Sequence, residues 1–165
     1  MILAVDPGLT GAFAYYDGAA LAVRDMPTYV AKAGARRTDR KFIDEAAIVN
    51  MVRSAARNAK ILVIEQVGGI PGQSASSAFV FGKGVGVIVG AAHAFGLRIE
   101  TVAPATWKSA LRVPADKRAA RARASELLPG CATLWPLQKH DGRAESSMIA
   151  LWGWQVFGEL DHASL

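Results

Sequence analysis

Two short apolar runs each end on a carboxylate, Ala4-Val5-Asp6-Pro7-Gly8 and Leu62-Val63-Ile64-Glu65-Gln66. An acid at such a point is unfavourable unless it is paired, hydrogen-bonded or holding a cation. A third acidic segment, His140-Asp141-Gly142-Arg143-Ala144-Glu145, precedes the run Ser146-Ser147-Met148-Ile149-Ala150-Leu151-Trp152. On a helix Asp141 and Glu145, four residues apart, share one face. That face continues through Met148, Ile149 and Trp152, so both carboxylates are expected to point at a sheet. Oxygen ligands, with a single cysteine and three histidines in the chain, suit magnesium or manganese rather than zinc. Asp6, Glu65, Asp141 and Glu145 could hold two such ions ~3.5 to 4 Å apart. The ions would activate a water on one side of a phosphodiester and stabilise the leaving oxygen on the other.

Each acid alone has a plainer reading. Asp6 could bond its own backbone ahead of Pro7-Gly8, and Glu65 could be a buried ion-pair partner. Asp141 could cap the last helix, leaving Glu145 as an acid that favours the helix dipole. Recurrence of the pattern on two strands and one helix argues against three independent explanations.

The elements that must position these acids follow from hydrophobic period and turn chemistry. Met1 to Val5 suits a buried strand, Gly11 to Tyr16 a second and Ala19 to Arg24 a third, with a hairpin turn at Asp17-Gly18. Met26 to Lys41 reads as an exposed loop. Asp44 caps a predicted helix to about Asn58, whose apolar face is Ile48, Val52, Ala55 and Ala59. Lys60 to Val67 reads as a strand, Gly68 to Ser77 as a loop, and Ala78 to Phe95 as a tightly packed helix. Gly82, Gly86 and Gly90 share one side of that helix, where another backbone could approach closely. Arg98 to Val102 is a fifth strand. Helices then follow near Ala105 to Leu111, Asp116 to Leu128 and Gly142 to Phe157. Strands followed by alternating strands and helices predict a mixed α/β sheet, as one domain over residues 1–158 with a short tail at 159–165.

The chain has 165 residues, 52% hydrophobic and 20% charged, which excludes a disordered or fibrous protein. Cys131 is the single cysteine, so stability must come from packing. The apolar stretch Val85 to Gly96 is short for a bilayer span, and no membrane partner is expected. Met1-Ile2-Leu3-Ala4-Val5 meets Asp6 at once, without the pattern of a secretory leader, which predicts a cytoplasmic location.

A net charge of +5 favours an anionic partner. The surplus is concentrated in Lys32 to Lys41 and in Lys108 to Arg123, leaving the remainder slightly acidic. Basic segments beside a site that needs metal to admit an anion fit phosphate neutralisation. The Lys32 to Lys41 segment could equally grip DNA or be solvated. Phe79 and Phe81 read as packing residues before base-stacking ones, and His93 reads as a packing residue. Trp107, Trp135, Trp152 and Trp154 read as core or interface residues.

Ile2-Leu3-Ala4-Val5-Asp6-Pro7-Gly8-Leu9-Thr10-Gly11, the Val63-Ile64-Glu65-Gln66-Val67 strand, the Gly82 to Gly90 helix and the Asp141 to Glu145 pair, in this order, cover most of the chain. They resemble the RuvC-like Holliday junction resolvases of the RNase H-like superfamily, including its phage and chloroplast branches. The resemblance implies an RNase H-like mixed five-stranded sheet flanked by α-helices. It also implies a magnesium-dependent endonuclease, with manganese as the substitute, that uses no nucleotide cofactor. Such an enzyme acts as a homodimer on four-way junction DNA, nicking opposing strands to leave 5′-phosphate and 3′-hydroxyl ends.

Carried over by position, Asp6 is the first-strand ligand, Glu65 the central acid and Glu145 the last-helix acid. Asp141, or less readily His140, completes the metal site. Lys108 and Lys117 fall where the family places basic residues near the scissile strand, so Lys117 joins the catalytic set. Lys83, Lys108, Arg112, Arg118 and Arg121 are the expected DNA contacts. There are two departures from the bacterial pattern. Position 142 is glycine, where the bacterial enzymes often carry an acid three before the last ligand. Gly68-Gly69 stands where they have a junction-probing aromatic. The rival readings are an RNase H-like nuclease on RNA–DNA hybrid or other branched DNA, a non-catalytic junction-binding protein, and a small relative of the actin-like phosphotransferases.

Overall fold

Alternation within two strands decides the architecture. In β1 (Ile2–Asp6) Ile2 and Ala4 enter one apolar layer while Leu3 and Val5 enter the other. In β6 (Ile61–Glu65) Ile61 and Val63 separate from Leu62 and Ile64 in the same way. Strands that are apolar on both sides need cover on both faces. The computed structural model, which describes residues 1–33, 38–68, 72 and 74–162, supplies that cover with helices.

The main sheet has the order β3-β2-β1-β6-β7, with β2 (Ala12–Tyr16), β3 (Leu21–Asp25) and β7 (Arg98–Val102) beside the two central strands. The predicted meander β1-β2-β3 is antiparallel, whereas β6 and β7 run parallel to β1. Helices α1 (Glu45–Ala55) and α2 (Ala75–Ala94) cover one face through Ile48, Val52, Ile88 and Ala92. The other face carries α3 (Pro104–Ala110), α4 (Lys117–Leu127) and α5 (Asp141–His162), packed through Trp107, Ala124, Met148 and Ile149. This is the expected mixed five-stranded sheet flanked by helices.

Asp44 caps α1 by accepting from the Ala47 N–H at 3.0 Å, and Asp116 caps α4 by accepting from Ala119 at 2.8 Å. Each replaces a partner that the first turn of a helix lacks. Ser74 does the same for α2, which therefore starts at Ala75, three residues earlier than the apolar pattern predicts. The last helix begins at Asp141 rather than Gly142 and continues to His162, past the expected Phe157. Residues 163–165 of the expected tail lie outside the described residues.

The main correction concerns Met26 to Lys41, which is not a loop throughout. Strands β4 (Thr28–Ala33) and β5 (Thr38–Ile43) form an antiparallel hairpin, pairing Tyr29 with Phe42 and Val30 with Lys41. Tyr29 and Phe42 stack at 5.7 Å, and Ile43 is buried against Gly84 of α2. Thr28-Tyr29-Val30 and Phe42-Ile43 carry the strand propensity; the basic residues between them conceal it. Arg36 and Arg37 lie outside the described residues, as do Gly69 to Pro71 and Gln73.

Two expectations for α2 also change. Carbon atoms built on Gly82, Gly86 or Gly90 meet nothing within 4 Å, so the close contact is made by Gly84 and the three-glycine side opens outward. His93 is exposed, not packed. By length and composition α2 could cross a membrane, being longer than the Val85 to Gly96 stretch suggests. Its Lys83 forms an ion pair with Glu45 of α1 at 2.5 Å.

Candidate active site

Parallel pairing of β1 with β6 sets Val5 opposite Ile64, so Asp6 and Glu65 leave neighbouring strands at the same end of the sheet. The third acid arrives through a backbone contact. Gly142 at the start of α5 lies against the Thr10 carbonyl and the Gly11 backbone, in the turn that follows Asp6. Gly11 in turn leaves no room for a side chain beside the Asp6 backbone and carboxyl group. One helical turn beyond Gly142 comes Glu145, whose charge acts on both Asp6 and Glu65.

The electrostatics are those of crowded, partly desolvated acids. Burial pushes the Asp6 carboxyl up to about 6; the Gly8 N–H, donating at 3.2 Å, opposes that, and Glu145 and Glu65 add to it. The turn-residue reading of Asp6 is correct as far as its hydrogen bond to the following turn goes, and that bond coexists with the acidic neighbours. Glu65 is raised by burial and by Glu145, against a 2.9 Å hydrogen bond donated by the Trp107 indole Nε1. Removing charge or importing a cation are the two ways to relieve such a cluster.

Lys108 supplies part of that relief. Its Nζ stands 3.5 Å from Glu145 Oε1 and 5.1 Å from the centre of the Trp107 ring, and it lowers both Asp6 and Glu65. Trp107 is core, as expected, and fully buried. Its role as hydrogen-bond donor to Glu65 joins residues 42 apart and leaves no local signal in the sequence.

Asp141 is placed differently from expectation. It shares a narrow crevice with Glu145, Lys117 and Arg121, but its carboxylate is held by Arg121 of α4 at 2.5 Å rather than turned to the sheet. His140 is buried with its Nδ1 accepting from the Leu137 N–H at 3.3 Å, and it lines a different cleft with Arg143. Arg121, an expected DNA contact, is given to Asp141. Lys83 is given to Glu45, and no described contact joins it to the acids. Arg112, Lys117 and Arg118 are exposed, Arg112 in left-handed backbone with φ 53°.

Among the described residues no three His, Cys, Asp or Glu side chains converge as a ready ion cage. The donor chemistry nonetheless suits a hard divalent cation. Asp6, Glu65 and Glu145 present oxygen only, and their mutual repulsion and burial are what such an ion would offset.

No family model and no curated protein matches the chain. Solved structures do. RuvC of T. thermophilus in complex with a Holliday junction substrate superposes with a TM-score of 0.58 at 15% identity, covering 96% of this chain and 95% of that one. A second Thermus thermophilus RuvC structure gives 0.53 at 18% identity, covering 95% and 96%. The sheet order, the helices on both faces and this end-to-end likeness give the chain the RuvC-like fold.

Proposed function

We propose that this protein is a divalent-metal-dependent endodeoxyribonuclease that resolves four-way DNA junctions by paired hydrolytic nicks. The observation that carries the reading is the placement of Asp6 and Glu65 at the same end of neighbouring strands of a RuvC-like sheet, where the contact of Gly142 with the Thr10-Gly11 backbone brings in the helix that carries Glu145. The Holliday junction bound by the Thermus relative lends the substrate class.

Asp6, Glu65 and Glu145 would hold the metal, with Asp141 joining once Arg121 releases it. Magnesium or manganese there would supply a Lewis acid for water activation and counter-charge for the phosphate. The chain's own residues prepare the site. Trp107 fixes the orientation of Glu65, and the Gly11–Gly142 contact sets α5 so that Glu145 reaches the strand acids. Lys108 holds positive charge beside Glu145, and exposed Lys117, Arg112 and Arg118 meet flanking phosphates. Phosphate contacts of this kind fix register without reading base sequence.

A homodimer suits a substrate with two equivalent cleavage points. The outward side of α2 supports one, with Phe79 73% exposed and open space at Gly82, Gly86 and Gly90.

The test is cleavage of end-labelled mobile and immobile junctions beside linear duplex and RNA–DNA hybrid, in magnesium or EDTA. Wild type is expected to make paired nicks that Asp6→Asn and Glu145→Gln abolish while binding persists. Tight binding without cutting in either magnesium or manganese would favour a scaffold, and cutting of hybrid alone would replace the substrate.

A further inference from the structure

Two clefts meet beside the turn that follows Asp6. One, of about 470 Å³, lies between the β4–β5 hairpin and the first half of α2. The other, of about 320 Å³, lies between the base of the hairpin, the Leu9-Thr10-Gly11 turn and the residues that open α5. Leu9 and Lys41 line both, so the clefts are contiguous and skirt the carboxylate end of the sheet.

The path is cationic. Arg40 and Lys41 come from β5, Lys139 from the turn before α5, and Arg143 from α5 itself. The acid along it, Asp25, is already bonded through both oxygens by Arg143, at 2.5 and 2.6 Å. Arg40, Lys41 and Lys139 are exposed, and among the described residues none of them forms a salt bridge. Phe42 lines the first cleft and carries Tyr29 stacked upon it, with Tyr29 52% exposed.

Cations with no salt bridge among the described residues, in a groove beside a stacked pair whose Tyr29 is exposed, match a nucleic-acid strand, whose phosphates take the cations and whose bases stack on rings. An acidic peptide would use the charge and leave the aromatic pair without a purpose. The hairpin packs on α2, on the face of the sheet opposite α4. Basic surfaces thus flank the carboxylates from both sides.

We propose that a strand of the DNA substrate runs from the carboxylate end across Lys41. Its phosphates lie on Arg40, Lys41 and Lys139, and an unpaired base rests on the Tyr29–Phe42 pair. This rests on the nuclease reading for its substrate class, while its test reads binding alone.

The probe is a fluorescent four-way junction and a single-stranded oligonucleotide, titrated in EDTA over a salt series. The double variant Lys41→Gln/Lys139→Gln is expected to weaken junction binding about tenfold and to reduce the slope of log K against log salt by about 2, one for each phosphate left without its lysine. Tyr29→Ala is expected to weaken the single strand about tenfold. Lys60→Gln, at the far end of β6, serves as the control and stays at the wild-type value. All four positions are exposed, and thermal unfolding verifies that each variant is folded. An unchanged slope and affinity in the double variant overturns the track while leaving junction cutting intact. A wild type that binds with that salt dependence in EDTA yet leaves junctions uncut in both magnesium and manganese overturns the nuclease reading and leaves the track. An unchanged single-strand affinity in Tyr29→Ala overturns the base platform.

Discussion

Gly142 packs directly on Gly11: a carbon built at position 142 would stand 2.7 Å from the Gly11 Cα, and closer still to the Thr10 carbonyl. The absence of an acid three residues before Glu145 thus has a steric cause. No side chain fits there while α5 sits on the turn after β1, and the neighbouring acid moves back to Asp141. Gly142→Ala is expected to destabilise the protein by roughly 1–3 kcal/mol through overpacking against backbone that cannot yield. Gly142→Asp should cost more and should not create a ligand. Urea unfolding measures both, and a wild-type midpoint in Gly142→Ala would refute the contact.

Asp6 makes stability fall as pH rises. Its carboxyl, raised to about 6 from an ordinary 3.8, binds more proton in the folded than in the unfolded state between those values. Unfolding free energy therefore declines through about pH 4 to 6. Asp25 has the opposite sign, because Arg143 holds it below its ordinary 3.8, so its contribution is present above that value and lost as pH falls. Chemical denaturation from about pH 3 to 8 in EDTA should lose the Asp6 limb in Asp6→Asn and keep the Asp25 limb. Manganese affinity, followed by calorimetry, should rise through about pH 6 as Asp6 gives up its proton.

Trp107→Phe removes the indole donor from Glu65 while keeping most of the ring volume. Stability is expected to drop by about 1–2 kcal/mol. The charged form of Glu65 also loses a hydrogen bond, so the acidic limb of metal binding should move to higher pH. A loss of stability with an unmoved pH profile would reduce Trp107 to packing alone.

Arg121→Gln frees Asp141. The pair is partly buried, and leaving the carboxylate unpaired should cost roughly 1–3 kcal/mol. If Asp141 exchanges between Arg121 and a cation, manganese affinity rises in the variant, and Asp141→Asn cancels the rise. Equal affinity in wild type and both variants would make the pair a strut between α4 and α5.

Much of this arrangement was legible in the chain because strands buried on both faces advertise themselves. β1 and β6 read as apolar runs, and their terminal acids stood out against them. Capping residues Asp44 and Asp116 marked two helix starts to within a residue. The hairpin was missed because Lys32, Asp39, Arg40 and Lys41 sit on strands that face solvent, where composition resembles that of a loop. Contacts across long separations, such as Trp107 with Glu65 and Arg143 with Asp25 over 118 residues, have no local period. The orientation of Asp141 depends on which helix carries the nearest cation; helix periodicity places it beside Glu145, as found, but carries no sign of Arg121 on α4.

The parallel pairing of β1, β6 and β7 also divides the molecule into a working pole and a blank one. Asp6 and Glu65 leave the sheet at one end, whereas Lys60, the turn at Gly96 and the Phe157 ring beside Arg98 gather at the other. Helix α5 spans the two, opening beside the Asp6 turn and passing Ile2 and Val63 at Gly153 on its way down. A surface tether or fluorophore attached at position 60 would therefore stand a full strand length from the acids. Immobilised molecules would present the carboxylate pole outward, in one orientation, to whatever flows past.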